Sequence, residues 1–127
     1  MPFFVPSSFL RYDRPVPRTR RTEPHARKSL GQHFLRDSGV ISDIVHALRV
    51  PEGGIAVEIG AGTGQLTEGL LDAGHAVTAL EFEPRLVAHL QKRFATRTEL
   101  AIIESDARNV DYLEITRGEP FAVAGNL

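Results

Sequence analysis

The sequence predicts an α/β fold: a parallel, doubly wound sheet with helices on both faces, of which residues 27–127 supply the N-terminal half. Three observations predict it. Ile55-Ala56-Val57-Glu58-Ile59 is a short apolar run that leads directly into glycines at 60, 62 and 64. A second apolar run, Ala76–Leu80, ends in Glu81, twenty-one residues after Gly60. Between and beyond these runs, stretches of strand character alternate with stretches of helical period, as parallel strands joined by crossover helices require.

Residues 1–26 precede this alternation. Pro2, Pro6, Pro15, Pro17 and Pro24 break any helical or strand period and favour an extended, solvated chain. The run holding Phe3, Phe4, Val5, Phe9 and Leu10 is too interrupted for a secretory signal. We therefore expect a disordered, Pro-rich extension over 1–26 and a partial domain over 27–127. At Arg27–Leu35 the character changes, with aromatic and aliphatic residues clustered beside Gln32 and His33. Asp37 or Ser38 can cap a following helix whose stripe is Val40, Ile41, Ile44, Val45 and Leu48. Pro51-Glu52-Gly53-Gly54 turns the chain into the first strand.

After the glycines, Leu66, Leu70 and Leu71 recur at helical spacing, and Gly74 stops that helix. Ala76–Leu80 is the second strand. Pro84 opens the next helix, whose buried face is Leu86, Val87, Leu90 and Phe94. Leu100–Ile103 is the third strand, leading to Asp106, and Phe121–Ala124 is the fourth. With right-handed crossovers the strand order is 3-2-1-4, which leaves strand four as an unpaired edge.

Composition narrows the function classes. A hydrophobic share of 42% over 127 residues suits one domain with a real core. Without cysteine there is no disulfide framework and no thiolate metal site. The five histidines are scattered without ligand spacing, so no metal is expected. No apolar run approaches the roughly 20 residues of a membrane helix, so no membrane partner is expected. The net charge of −1 divides into +5 over residues 1–28 and −6 over residues 29–127. A basic arm on an acidic body fits a polyanionic partner, through Arg18, Arg20, Arg21, Arg27 and Lys28. The alternatives are a solvated leader with incidental charge or an organelle-targeting leader, against which the prolines argue.

A strand, a glycine loop and a helix form the nucleotide-binding arrangement of doubly wound folds, with the ligand at the carboxyl end of the first strand. The dinucleotide pattern G-x-G-x-x-G needs glycine at position 65, where this chain has Gln65. Its glycines instead read G-x-G-x-G after Glu58, which resembles motif I of S-adenosylmethionine-dependent methyltransferases. By itself the loop also reads as a tight βα turn. Glu81 adds a carboxylate able to accept hydrogen bonds from both hydroxyls of a ribose; its alternative is a solvated acid at a strand end.

The stretch Lys28–Leu35 resembles the K-x-x-G-Q-[NH]-F-L motif that opens the KsgA-type family of ribosomal RNA adenine dimethyltransferases. The Erm methyltransferases and the mitochondrial transcription factor B proteins are relatives of that family. The resemblance runs from Arg27 to Leu127 and includes Val57–Thr67, Leu80–Glu83, Ser105-Asp106-Ala107 and Gly125-Asn126-Leu127. It implies a Rossmann-like S-adenosylmethionine-dependent methyltransferase fold and S-adenosyl-L-methionine as cofactor. In the family, the positions of His33 and Leu35 line the cofactor site, His33 through a ring nitrogen and Leu35 through apolar contact. Gly60 lets the backbone approach the methionyl end, and Gly62 keeps the loop tight. Glu81 takes the ribose hydroxyls. Asp106 accepts from the exocyclic amine of the cofactor's adenine, although by itself it also reads as a helix cap.

Asn126 opens the family's Asn-[Leu/Ile]-Pro-[Tyr/Phe] motif, beside the transferable methyl, where it borders both cofactor and substrate. The lone pair of adenine's exocyclic nitrogen is delocalised into the ring. A carbonyl acceptor at Asn126, with a following backbone carbonyl, would hold the amine hydrogens and localise that pair. The aromatic residue of the motif would stack on the extruded base. Transfer is then a direct displacement governed by alignment and electrostatics. Because the motif's Pro and aromatic would follow Leu127, we expect the chain to be a fragment of a longer enzyme, inactive by itself.

The resemblance thus implies a cytoplasmic, monomeric full-length enzyme that dimethylates adenines of small-subunit (16S) ribosomal RNA. An Erm-type enzyme acting on large-subunit RNA is one alternative, and a non-catalytic cofactor- and RNA-binding module is another. A nicotinamide dehydrogenase is disfavoured by Gln65.

Overall fold

A computed structural model of the protein describes Phe3–Phe4 and residues 37–125. The Lys28–Leu35 motif with His33 and Leu35, most of the basic extension, and Asn126 lie outside the described residues. In chain order the elements are strand β1 (Phe3–Phe4), helix α1 (Ser38–Ala47), β2 (Ile55–Ile59), α2 (Gln65–Asp72) and β3 (Ala76–Glu81). There follow α3 (Pro84–Arg93), β4 (Leu100–Glu104), a 3₁₀ turn (Ala107–Asn109), the single-turn α4 (Tyr112–Ile115) and β5 (Phe121–Gly125).

All paired strands are parallel, in the order β4-β3-β2-β5-β1. Over residues 55–125 this is the expected 3-2-1-4 order. The edge differs from expectation. Strand β5 is paired on both sides, because Phe3 and Phe4 stand in register with Ala122 and Val123. A two-residue strand more than a hundred residues from its partner leaves no local period to read.

Burial explains the layers. Side chains alternate across a strand. Ala56, Ala79, Ala122 and Ala124 therefore face one side and Val57, Leu80 and Phe121 the other. The alanine side accepts α1, α2 and α3, whose Ile44, Leu48, Leu66, Leu70, Leu90 and Phe94 complete the larger core. Each such leucine, fully withdrawn from water, contributes roughly 2 kcal/mol. The opposite side is covered by the 3₁₀ turn and α4, through Ala107, Val110, Tyr112 and Ile115. Tyr112 stacks on Phe121 with ring centroids 6.0 Å apart. Of the two caps weighed for α1, Asp37 is the one used, accepting from the backbone of Gly39 at 2.8 Å and Val40 at 3.3 Å. Helices α1 and α2 meet at Gly69, where an added Cβ would lie 2.6 Å from Ile41 Cγ2.

Register sets the site. Ile59 pairs with Leu80 and with Gly125, and Glu81 pairs with Glu104. The carboxyl ends of four strands therefore lie side by side. The chain runs outward through β3 and β4, then returns to the far side of β2 as β5. The point where the order reverses lies between β2 and β5, the place where open α/β sheets hold ligands.

Candidate functional site

The loop after β2 is built from residues that a tight turn needs. Gly60, Gly62 and Gly64 have φ of 72°, 60° and 101°. These left-handed values disfavour any residue with a Cβ. At Gly64 a Cβ would also lie 2.7 Å from the Phe94 ring. The amides of Gly60 and Ala61 both donate to the Leu80 carbonyl, at 2.8 and 3.3 Å, which ties the loop to the end of β3.

Glu81 completes that tie. It is 6% exposed, and each of its carboxylate oxygens already serves the backbone. Oε1 accepts from the Gly62 amide at 2.9 Å, and Oε2 accepts from the Glu83 amide at 3.1 Å. Its own carbonyl accepts from the Ser105 amide at 3.1 Å, joining the end of β4 to the same point. The structure thus gathers Gly60, Gly62, Glu81 and Asp106 at neighbouring strand ends. Each carboxylate oxygen carries two lone pairs, so one backbone donor on each leaves acceptor capacity for hydroxyl groups.

Asp106 follows β4 and caps the 3₁₀ turn, as its alternative reading had it. Oδ1 accepts from the Arg108 amide at 2.9 Å and from Arg108 Nε at 3.1 Å, and Oδ2 accepts from Arg108 Nη2 at 2.8 Å. These hydrogen bonds hold the Asp106 pKa down to about 2. It is therefore ionised throughout the physiological range.

Four residues of this region take part in ways that the sequence did not assign. Glu58, at the end of β2, is 2% exposed and accepts from the Thr67 hydroxyl at 2.5 Å. Burial pushes its pKa up to about 8; the Thr67 hydrogen bond opposes the rise and the Glu81 charge adds to it. Glu58 is thus mainly protonated at neutrality. Arg93, at the end of α3, donates from Nη1 to the Thr63 carbonyl at 2.5 Å and from Nη2 to Glu68 Oε1 at 2.8 Å. Its guanidinium also stands 5.1 Å from the centroid of the Phe94 ring. Phe82 projects into solvent with 69% of its surface exposed, directly after Glu81. Arg108, already described, is the fourth. Glu58 was read as the acid before the glycines but not as buried, and Phe82 carried a readable signal, an aromatic residue flanked by two acids at a strand end.

Among the described residues no group of three or more His, Asp or Glu is placed to hold a metal ion, and no helix is long and apolar enough to cross a membrane.

Comparison with known proteins adds to this geometry. Residues 24–127 match the family described as "Ribosomal RNA adenine dimethylase". A protein of Methylococcus capsulatus named "Ribosomal RNA small subunit methyltransferase A" is 46% identical over 101 residues, which are 80% of this chain and 39% of that one. Its namesake in Pseudomonas aeruginosa is 39% identical over 103 residues, 80% of this chain and 38% of that one. The chain therefore spans about two fifths of the length of these relatives. Among solved structures, the 23S rRNA methyltransferase ErmE superposes with a TM-score of 0.63 at 29% identity, over 72% of this chain and 36% of that one. A dimethyladenosine transferase from Plasmodium falciparum superposes with a TM-score of 0.53 at 28% identity, over 59% of this chain and 28% of that one.

Proposed function

Since the chain belongs to the ribosomal RNA adenine dimethylase family, we infer that its protein transfers methyl groups from S-adenosyl-L-methionine to the exocyclic amines of adenines in small-subunit ribosomal RNA. The reading rests on one convergence. A left-handed glycine loop after β2, a buried acid at the end of β3 and an ionised acid after β4 stand at the carboxyl ends of three adjacent strands, beside the point where the strand order reverses.

The residues fit the cofactor. The glycine loop removes side chains where the methionyl portion approaches, and Glu81 accepts from the ribose hydroxyls through the lone pairs its backbone donors leave. Phe82 offers an exposed aromatic face on which a purine can stack. Asp106 accepts from the purine amine. His33 and Leu35 line the methionyl end, and Asn126 holds the amine of the target adenine; these three assignments rest on the family motifs. When bound, S-adenosyl-L-methionine supplies a methyl group activated by its sulfonium. The chain's own part is to fix both partners in line and to exclude competing geometries. The same reading makes the full-length protein a monomer that works in the cytoplasm, where its substrate, the small ribosomal subunit, is assembled. Small-subunit rRNA is preferred to large-subunit rRNA because two relatives at 46% and 39% identity carry the small-subunit name.

The test is twofold. Calorimetry should show 1:1 binding of S-adenosyl-L-methionine, weakened roughly 10- to 100-fold by Glu81→Ala, the loss expected for charge-assisted hydrogen bonds. The full-length protein should dimethylate adenines in under-methylated small subunits. Absence of binding overturns the cofactor assignment, and methylation confined to 23S rRNA overturns the substrate.

A further inference from the structure

Arg108 has no part in the reading above, yet it makes more hydrogen bonds to Asp106 than any other described residue. Its backbone amide and Nε both fall on Oδ1, at 2.9 and 3.1 Å, and its Nη2 falls on Oδ2 at 2.8 Å. A carboxylate oxygen has two lone pairs. Oδ1 is therefore saturated, and Oδ2 keeps one acceptor position among the described residues. The two-point guanidinium contact fixes the plane of the carboxylate as well as its position. An ammonium in its place could hold the charge but not the plane. Arg108 is itself 82% exposed, so it is not placed there by packing.

We propose that Arg108 is a positioning residue for purine recognition: its guanidinium locks the Asp106 carboxylate so that a single lone pair of Oδ2 receives the exocyclic amine of the bound cofactor. This rests on, and deepens, the assignment of Asp106 to the adenine. Arg108 acts through Asp106 and makes no direct contact with the purine amine, since both would be hydrogen-bond donors. Selection for an amino-purine follows. A 6-oxo purine would present its oxygen to a carboxylate whose neighbouring positions are already filled, and two acceptors would face each other.

The experiment is a cycle on the full chain with two probes, S-adenosylhomocysteine and its analogue with hydrogen in place of the 6-amino group. Unaltered protein should bind the amino compound roughly tenfold more tightly, the worth of one hydrogen bond to a charged group. Arg108→Ala should weaken the amino compound by roughly fivefold and leave the analogue within about twofold, so that the preference collapses. Arg108→Lys should fall between. Circular dichroism and the thermal midpoint should match the unaltered protein, because the side chain is exposed. Equal losses for both probes would show a merely structural role and overturn the proposal. Unchanged or tighter binding of the amino compound would overturn it too, because Arg108 would then be idle or a competitor of the purine. Binding of neither probe by unaltered protein would remove the cofactor assignment, and this inference with it; normal binding that the Arg108 variants leave unchanged would remove this inference alone.

Discussion

At the scale of single residues, the acids of the site differ because their surroundings differ: burial raises the pKa of Glu58, and the Arg108 hydrogen bonds lower that of Asp106. Glu58 is sealed beneath the loop with one hydroxyl for a partner, Glu81 is held by two amides, and Asp106 is half-buried beside a guanidinium. Glu58 therefore links stability to pH. Its folded pKa, about 8, lies above the ordinary value of 4.5, so the folded state holds a proton that the unfolded chain has released. That contribution is complete below about pH 4.5 and is lost as pH rises towards 8, by at most about 1.4 kcal/mol per pH unit. The thermal midpoint should fall between pH 5 and 8, and Glu58→Gln should flatten the fall. An unchanged slope in that variant would mean that Glu58 is ionised in the folded protein. Phe82→Ala should weaken S-adenosyl-L-methionine by several-fold with little change in stability, because the ring is largely exposed.

At the scale of elements, the glycine loop is held from two sides. The end of β3 grips it through the Leu80 carbonyl and the Glu81 carboxylate, and α3 grips it through Arg93 and Phe94. Gly64→Ala meets both a φ of 101° and the Phe94 ring. It should cost roughly 1–3 kcal/mol, visible as a lower denaturation midpoint. Arg93→Ala should cost less stability but weaken cofactor binding, because Thr63 loses its anchor; urea melts and calorimetry on one preparation separate the two effects. The tight turn itself could be read from the sequence, since alternating glycines after an apolar strand let the backbone bend sharply. The grip by Arg93 could not. Arg93 and Thr63 are thirty positions apart, and nothing in the surrounding helical period marks which exposed cation will fold back onto the loop.

At the scale of the whole molecule, strands β2 to β5 and their order were legible because buried parallel strands are uniformly apolar and crossovers have one hand. Glu81 and Asp106 were legible as acids at strand ends, a position that periodicity alone locates. The neutral state of Glu58 was not, because an acid preceding glycines gives no sign of its burial. The pairing of Phe3–Phe4 with β5 was not legible either, and it changes the edge of the sheet. Removing residues 1–4 should uncover the backbone of Ala122 and Val123. We expect a thermal midpoint lower by roughly 4 °C for each kcal/mol lost, with self-association detectable by light scattering. A monomer of unchanged midpoint would show that β5 does not need that neighbour.

Glu81 joins three segments through a single residue: its side chain reaches the Gly62 and Glu83 amides, and its carbonyl reaches the Ser105 amide. Those three backbone protons, far apart along the chain, share one fate. Whatever loosens Glu81 exposes all of them to solvent together, and any molecule gripping its carboxylate should slow their deuterium uptake in concert.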